Sequence, residues 1–461
     1  MIKELLSRAF IISNIELDVN FDNKMFSKVG NYYVTTFKLD NTLPTKMEYC
    51  RICFRSMNVR ESKDCVEYGA LISNNTIKIR NNQMNTRDIY YIYEPEKNIF
   101  VVFNQLLLAK QILEACGLEV RYSNVKIYEN GSYFKHIKQM NYAEILTVEN
   151  KNNVITCSYA SEEDILENTE EDNTYTLETS MKNYYEKLYE ATKRLTSEST
   201  EISIPLSGGI DSGAIAYLLT QLNKNVSAYS IGTEWGNEFE DAASTANYIG
   251  VNLRQIFISR EDIFREIPNV IAAFGFNMEN NIEISLIPQC LFRKIKEEQG
   301  NKEILFATGF GSDLLNAGIF TPFNEYEELR NEIVTILKKT RMPNETYSNL
   351  FFQNNSMFHN INVVHPFWEP SVIEEALRIP TKFKVVDNKD KYFFRKLMET
   401  KMGMKNCWRK KTAAHHGTGI GFNLMNALSN GNKDFTREDY ENYFKNIHEQ
   451  IFYKNDFSLL K

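Results

Sequence analysis

The sequence predicts an α+β domain rich in antiparallel strands, followed by an α/β domain with a parallel sheet and a helical C-terminal part. Three observations carry this prediction. Up to about residue 160, runs of β-branched and aromatic residues alternate with Asn, Asp and Gly clusters, which is typical of strands and turns. Residues 161–172 hold seven acidic residues and no basic ones, as expected of a solvated connector. From Glu201 onward, short apolar strands alternate with helices, which indicates a parallel sheet covered on both faces.

We therefore divide the chain into residues 1–160, a connector with a linking helix at 161–200, and residues 201–461. The 461 residues, 43% hydrophobic and 25% charged, have the composition of a folded protein. A net charge of -7 argues against a general nucleic-acid or membrane-surface binder, since both need a positive field. We see no signal peptide and no apolar run of about 20 residues, so we expect a cytoplasmic protein. The sequence leaves open whether the protein forms a homodimer.

The seven cysteines are scattered over the chain, which indicates reduced thiols. Cys50, Cys53 and Cys65 could suggest zinc, but a fourth ligand at a standard spacing is missing.

The elements of the first domain follow from its apolar and turn residues. Strands are predicted at 32–37 and 76–79, a hairpin at 88–93 and 99–103 around the turn 94–97, and a helix at 105–116 that ends at Gly117.

The connector leads into a helix predicted at 177–196. In the second domain, strands are predicted at 202–206, 226–231, 253–258 and 303–307, with helices at 214–222 and 238–249 and two more before the fourth strand. The chain from about residue 326 looks mostly helical.

A glycine loop follows the first strand of the parallel sheet, where ligands of such sheets bind. It reads Leu-Ser-Gly-Gly-Ile-Asp-Ser-Gly at residues 206–213. Two adjacent glycines bring backbone N–H groups close to an anion, and the next helix points its positive end at the same place. Asp211 would repel a phosphate unless a cation such as Mg²⁺ bridges them. The loop therefore predicts a pyrophosphate cradle with a magnesium ligand.

This loop lacks Gly-Lys-Ser/Thr, so it is not the loop that transfers a γ-phosphate. It resembles the pyrophosphatase-type loop of the asparagine synthetase superfamily, whose members cleave ATP to AMP and pyrophosphate. Five further segments agree in order: Ser-Ile-Gly-Thr at 230–233, Asn-Glu-Phe-Glu-Asp-Ala at 237–242, Thr-Gly-Phe-Gly-Ser-Asp at 308–313, His-Pro-Phe-Trp at 365–368 with Lys-Tyr-Phe-Phe-Arg at 391–395, and Trp-Arg-Lys-Lys at 408–411. The last has Lys410 where proline is usual.

Within the superfamily, these motifs most resemble those of β-lactam and carbapenam synthetases. The resemblance implies an ATP-dependent ligase: a substrate carboxylate is adenylated, and an amine captures the acyl-adenylate. It implies Mg²⁺ held by Asp211 and Asp313, a catalytic lysine at Lys411 and a phosphate-facing lysine at Lys391. Arg395 and Arg409, in the same basic segment, are the next candidates after these two lysines. The implied ATP-binding residues are Leu206, Ser207, Gly208, Gly209, Asp211, Ser212, Ile231, Gly232, Gly309 and Gly311.

The basic segment 382–411 agrees with this, since it holds eleven Lys and Arg against three acidic residues. Most of these side chains are expected to form a solvated surface.

One departure concerns the base. β-Lactam and carbapenam synthetases have Tyr at the position of Phe310, paired with Glu, and the pair takes the proton of the attacking amine. Phe310 has no proton-accepting atom, and the position of the partner falls near Leu350, with Glu345 as the nearest carboxylate. His415 or His416, close after Lys411, could replace this base, although polar loop residues explain such a pair as well.

The first domain resembles the N-terminal-nucleophile glutaminase domain of the superfamily. Its nucleophile is a Cys after the initiator Met, and here that residue is Ile2, so we expect no ammonia release from glutamine. Two other functions stay open: a lasso-peptide-type macrocyclase of the same superfamily, and a degraded nucleotide-binding regulatory protein. The expected substrates are a small carboxylate and an amine, which could be parts of one molecule.

Overall fold

A computed structural model describes residues 6, 8–19, 24–37, 46–53, 58–60, 68–124, 128, 131–300, 302–318, 325–342, 349–403, 405–409 and 414–460. Its N-terminal part consists of two sheets packed face to face. The strands are β1 (Phe10–Ser13), β2 (Met25–Val29), β3 (Tyr32–Thr36), β4 (Lys46–Met47), β5 (Cys50–Cys53), β6 (Asn58–Arg60), β7 (Gly69–Ile72), β8 (Thr76–Arg80), β9 (Tyr90–Glu94), β10 (Ile99–Phe103), β11 (Lys138–Gln139), β12 (Glu144–Lys151) and β13 (Val154–Ser161).

The strand order is β11-β9-β10-β1-β3-β2-β4 in one sheet and β13-β12-β8-β7-β5-β6 in the other. Within these two sheets, the described strand pairs run antiparallel, except for β2 and β4, which are parallel. Buried and exposed side chains alternate along β8: Ile77 and Ile79 are fully buried between the sheets, while Lys78 is exposed. Their partners across the sandwich include Ile12 and Val102. The predicted hairpin is confirmed, because β9 and β10 pair antiparallel from Ile99 with Glu94 onward.

A parallel sheet forms the centre of the C-terminal part. Its strands are β14 (Glu201–Pro205), β15 (Asn225–Thr233), β16 (Gly236–Asn237), β17 (Asn252–Ile258), β18 (Ile304–Ala307) and β19 (Ile361–Val364). The parallel order is β17-β15-β14-β18-β19, and β16 turns back antiparallel against β15. The four predicted strands are confirmed. Strand β19 was not predicted, because four residues between helical segments carry too weak a pattern.

Helices cover the sheets and fill the C-terminal part. They are α1 (Ala109–Ala115), α2 (Ile165–Asn168), α3 (Leu177–Leu195), α4 (Ile210–Gln221), α5 (Phe239–Ile249), α6 (Arg260–Phe274), α7 (Glu279–Gln299), α8 (Ser312–Leu315), α9 (Tyr326–Thr340), α10 (Leu350–Ser356), α11 (Pro370–Arg378), α12 (Tyr392–Met402), α13 (Ala414–Gly417), α14 (Ile420–Ser429) and α15 (Arg437–Phe452). Among the described residues, none of the helices has the length and apolar character needed to cross a membrane.

The acidic connector is packed against the protein, so the expectation of a purely solvated segment was wrong. Leu166 of α2 is 2% exposed. The Asp164 carboxylate accepts a hydrogen bond of 2.9 Å from the guanidinium of Arg341, whose side chain is fully buried. Glu171 accepts a bond of 3.0 Å from the backbone N–H of Thr381. Acidic residues therefore anchor this segment through specific buried partners, which charge counting does not reveal.

Buried amides join the N-terminal part to α10 and its neighbourhood. Asn354 of α10 donates to the Asp88 carboxylate over 2.7 Å, and Asn349 donates to the Met84 carbonyl over 2.6 Å. Asn85 donates to the carbonyl of Arg341 over 3.0 Å. Because α10 also packs on the site described below, the N-terminal part helps to position that site.

His448 of α15 fastens the C-terminal helix to both parts of the chain. Its Nδ1 lies 2.6 Å from the Tyr122 hydroxyl and its Nε2 lies 3.0 Å from the Gly275 carbonyl. Burial lowers the pKa of this fully buried imidazole to about 4. The folded protein therefore holds the ring neutral, whereas the unfolded chain protonates it below its ordinary pKa near 6.5.

A His448→Gln variant should accordingly lose less stability on acidification than the wild type. A lowered histidine pKa stabilises the fold above pH 6.5, and this stability is lost as the pH falls toward 4. We expect the variant to be less stable at pH 7.5, and the gap to narrow by about 1 kcal/mol at pH 5.5. Urea titrations of both proteins at the two pH values measure the gap. An equal or wider gap at pH 5.5 would contradict this assignment.

Candidate active site

The first glycine loop lies at the carboxyl end of β14 and leads into α4. Leu206 is buried and extends the ladder, because its N–H donates to the Tyr229 carbonyl over 2.7 Å. Gly208 has a φ of +77°, and a Cβ there would lie 2.5 Å from the Asp241 backbone at the start of α5. Only glycine therefore fits this turn.

The loop directs polar groups toward one place. The hydroxyl of Ser207 accepts from the N–H of Gly209 over 3.4 Å, and the hydroxyl of Ser212 accepts from the N–H of Ser207 over 3.4 Å. Gly209 is the N-cap of α4 and adds no capping side chain, so the first N–H groups of this 12-residue helix face the loop. The positive helix end and the hydroxyls make an anion site.

The second glycine loop lies at the end of β18 and touches the first. A Cβ on Gly309 would lie 2.5 Å from the carbonyl carbon of Asp211 and 2.6 Å from the nitrogen of Ser212. Gly311 has a φ of +99°, and Trp368 packs directly against it. The structure thus brings the two predicted motifs into backbone contact.

Lys391 lies between the carboxylates of the two loops. Its ammonium donates to both oxygens of Asp211 over 2.7 Å each, and it pairs with Oδ1 of Asp313 in the first turn of α8. The lysine is 0% exposed. Burial lowers the pKa of its ammonium, and the carboxylate of Asp211 opposes that shift. Two carboxylates of different loops therefore converge on one cation.

This donor set fits Mg²⁺. Proteins usually hold Mg²⁺ with one or two carboxylates and leave the other positions to water and substrate phosphates. Asp211 and Asp313 supply the two carboxylates, and the ammonium of Lys391 shows that a cation is accommodated between them. Among the described residues, no group of three or more His, Cys, Asp or Glu side chains could hold a metal.

Arg409 connects the first loop to α5. Its guanidinium donates to the Ser207 carbonyl over 3.2 Å and pairs with Glu238 and Asp241 over 2.8 Å each. The motif at residues 237–242 thus holds this arginine, a role that sequence reasoning missed. Acidic residues three apart at a helix start were the available signal.

Arg395 of α12 is buried and holds the segment that carries Arg409. It donates to the carbonyls of Cys407 and Arg409 over 2.7 and 2.8 Å, and pairs with both oxygens of Asp390. It is therefore a positioning residue.

The position of the family base holds the apolar ring of Phe310, which packs among other aromatic rings and lies 5.7 Å from the imidazole of His365. The ring of Phe310 lies 5.9 Å from Trp368, 5.8 Å from Phe352 and 6.4 Å from Phe351, measured between centroids. Leu350, near the expected place of the partner, is buried in the core. Glu345 lies outside the described residues, as does Lys411, so the structure says nothing of either.

His365 contacts the second glycine loop from behind. Its Nδ1 lies 2.6 Å from the Thr308 hydroxyl, which accepts from the N–H of Phe310 over 3.3 Å. Burial lowers the pKa of this imidazole to about 3. A neutral ring therefore fixes the loop.

The pair His415 and His416 lies on α13. His416 is exposed and its ring stacks 4.5 Å from Phe422, while His415 is partly buried. Burial and the neighbouring His416 lower the pKa of His415 to about 4. The described contacts place neither ring against Asp211 or Lys391.

The predicted adenine segment lies at the end of β15, next to the first loop. Ile231 pairs with Ile256 of β17, and a Cβ on Gly232 would lie 2.5 Å from Asn237 and 2.6 Å from the ring of Phe239. The hydroxyl of Thr233 donates to the Thr418 carbonyl over 2.6 Å, which joins this strand to the turn between α13 and α14.

A parallel sheet with two touching glycine loops at its carboxyl edge defines the class: an α/β domain built to bind an anionic ligand. The family model for asparagine synthase matches residues 183–348 and 338–446. The chain belongs to the asparagine synthase family.

The chain is also similar to a curated protein over part of its length. A carboxyethyl-arginine beta-lactam-synthase from Streptomyces clavuligerus is 24% identical over 233 residues, which are 49% of this chain and 42% of that protein. The chain thus matches less than half the length of this curated relative.

Two solved structures are also similar. An NMN synthetase from Francisella tularensis is 12% identical with a TM-score of 0.30 over 62% of this chain and 97% of that one. A Methanocaldococcus jannaschii protein described as a predicted subunit of tRNA methyltransferase is 19% identical with a TM-score of 0.20, over 36% of this chain and 67% of that one.

Proposed function

We propose that this protein is an ATP-dependent ligase that adenylates a substrate carboxylate and joins the acyl group to an amine. The observation that carries this proposal is the cation site between the loops, where Asp211 and Asp313 converge on Lys391. Family membership and the likeness to a β-lactam synthase support an amide-forming reaction.

In the first step, an oxygen of the substrate carboxylate attacks the α-phosphorus of ATP and the bond to pyrophosphate breaks. The loop hydroxyls of Ser207 and Ser212 and the N-terminus of α4 orient the phosphates. Asp211 and Asp313 would hold Mg²⁺, and the ion would supply positive charge for the leaving pyrophosphate. Arg409 fixes the loop from the other side through the Ser207 carbonyl.

In the second step, an amine attacks the acyl carbon, AMP leaves and an amide forms. A cation near the developing oxyanion stabilises the transition state, and we assign this role to Lys411 from the family resemblance. Phe310 offers no atom that could accept the amine proton. Another group or solvent water must therefore accept the proton that the neutral amine loses as the amide forms.

We further propose that the reaction forms AMP, does not use glutamine and belongs to natural-product biosynthesis. The amine could belong to the same molecule as the carboxylate, in which case the product is a ring. The N-terminal part would then be a glutaminase-type domain kept for its contacts with α10. Its packed antiparallel sheets support that assignment.

The test is a pyrophosphate-release assay over pools of carboxylates, amines and peptides, with ammonium and glutamine as alternative nitrogen donors. With a carboxylate labelled by ¹⁸O, adenylation transfers one labelled oxygen to AMP. We expect pyrophosphate release with labelled AMP, and no glutamate from glutamine. ADP and phosphate as products would contradict adenylation, whereas turnover of a peptide pool alone would favour a macrocyclase. ATP binding without turnover in any pool would favour the regulatory alternative.

A further inference from the structure

The ammonium of Lys391 takes the place that a divalent cation needs. It lies 2.7 Å from both oxygens of Asp211 and also pairs with Asp313, so the inner faces of both carboxylates point at one nitrogen. Mg²⁺ binds carboxylate oxygens at about 2.0–2.1 Å and would need the same faces. The two cations therefore compete for one position.

The backbone holds the lysine there. Lys391 is the N-cap of α12 and has a φ of +53°, a left-handed conformation that residues other than Gly, Asn and Asp adopt rarely. A Cβ on Gly318 would lie 2.2 Å from Cε and 3.1 Å from Nζ of Lys391, so the chain passes tightly over the lysine stem. The N–H of Arg395 bonds to the Lys391 carbonyl over 2.8 Å and starts the helix.

We propose that Lys391 is an exchangeable internal counter-ion: it pairs with Asp211 and Asp313 in the nucleotide-free protein and yields this place to the divalent cation when ATP binds. This inference rests on the proposed ATP-binding function. A displaced buried ammonium needs a new anionic partner, and the ATP phosphates supply one. Metal without nucleotide must expel the lysine with no such partner, so it binds weakly.

The exchange couples the two ligands. If ATP raises the affinity for the metal by some factor, the metal raises the affinity for ATP by the same factor. Removal of the ammonium should weaken this coupling, because the carboxylates then hold the metal without a competitor.

The test is Mn²⁺ binding, followed by electron paramagnetic resonance of free Mn²⁺ at fixed pH, with and without a non-hydrolysable ATP analogue. In the nucleotide-free state, Lys391→Met should bind Mn²⁺ at least about tenfold more tightly than the wild type. The analogue should raise Mn²⁺ affinity strongly in the wild type and much less in the variant. The matched control is Lys384→Met, since Lys384 is also buried but donates to the Leu315 carbonyl. We expect Lys384→Met to bind Mn²⁺ with the affinity of the wild type.

Equal or weaker Mn²⁺ binding by nucleotide-free Lys391→Met would overturn the exchange. If this variant does not fold, Lys391→Gln keeps two amide donors without charge and has the same expected result. The two proposals fail separately: a wild type that binds no ATP analogue refutes the proposed function as well, whereas analogue binding without a change in Lys391→Met refutes the exchange alone.

Discussion

Replacing Asp211 by asparagine should weaken the binding of ATP with Mg²⁺ about 100-fold and abolish measurable pyrophosphate release. The substitution keeps the shape of the side chain and removes one of two charges that converge on the cation site. The remaining carboxylate of Asp313 would have to bridge the metal and the phosphates alone. Calorimetric titration with ATP at several Mg²⁺ concentrations measures the loss.

The control for this variant is Asp434→Asn, because Asp434 is exposed and far from both glycine loops in sequence. It should bind ATP as the wild type does. Since Asp211→Asn also removes a partner of the buried Lys391, its fold needs to be checked by urea unfolding. An Asp211→Asn protein that is folded and binds ATP within a fewfold of the wild type would show that this carboxylate holds no metal.

Sequence reasoning could place the two glycine loops because local signals define them. A strand, adjacent glycines and a helix occur in order around residues 206–213, and the strand order of a parallel sheet puts loop ends at one edge. Strand β19 lacked such signals, because Ile361–Val364 is short and its ladder with β18 exists only in the folded chain.

The contacts between distant residues could not be predicted in the same way. Lys391 was assigned to phosphate by resemblance, yet its bonds to Asp211 join residues 180 positions apart. Sequence periodicity does not indicate contacts between residues so far apart in the chain. The acidic connector shows the same limit: its composition suggested solvation, whereas Asp164 pairs with the buried Arg341.

Gly309 is the position where the smallest change should have a large effect. This effect is steric and does not arise from the backbone φ of the glycine. A Cβ there would meet the carbonyl carbon of Asp211 at 2.5 Å, the nitrogen of Ser212 at 2.6 Å and the oxygen of Asp211 at 2.7 Å. All three atoms are backbone, so no side chain can move aside. Gly309→Ala therefore has to push the two loops apart by about 1 Å to reach ordinary contact distances.

Such a displacement separates Asp211 from Asp313 and spoils the geometry that one cation requires. A misplacement of about 1 Å costs on the order of 100-fold in rate, so we expect pyrophosphate release with the best substrate pool to fall by about that factor. The matched control is Gly213→Ala, at the fourth position of α4. Its Cβ would lie 3.5 Å from Thr245 Cγ2, an ordinary contact, and alanine favours the helix by up to about 1 kcal/mol.

Gly213→Ala should therefore keep wild-type turnover and unfold at an equal or higher temperature, whereas Gly309→Ala should lose turnover even where its thermal transition is retained. Steady-state pyrophosphate kinetics and calorimetric melting of both variants separate the two effects. If Gly309→Ala turned over at the wild-type rate, the loops would not need to touch, and the cation site between them could not be the centre of the reaction.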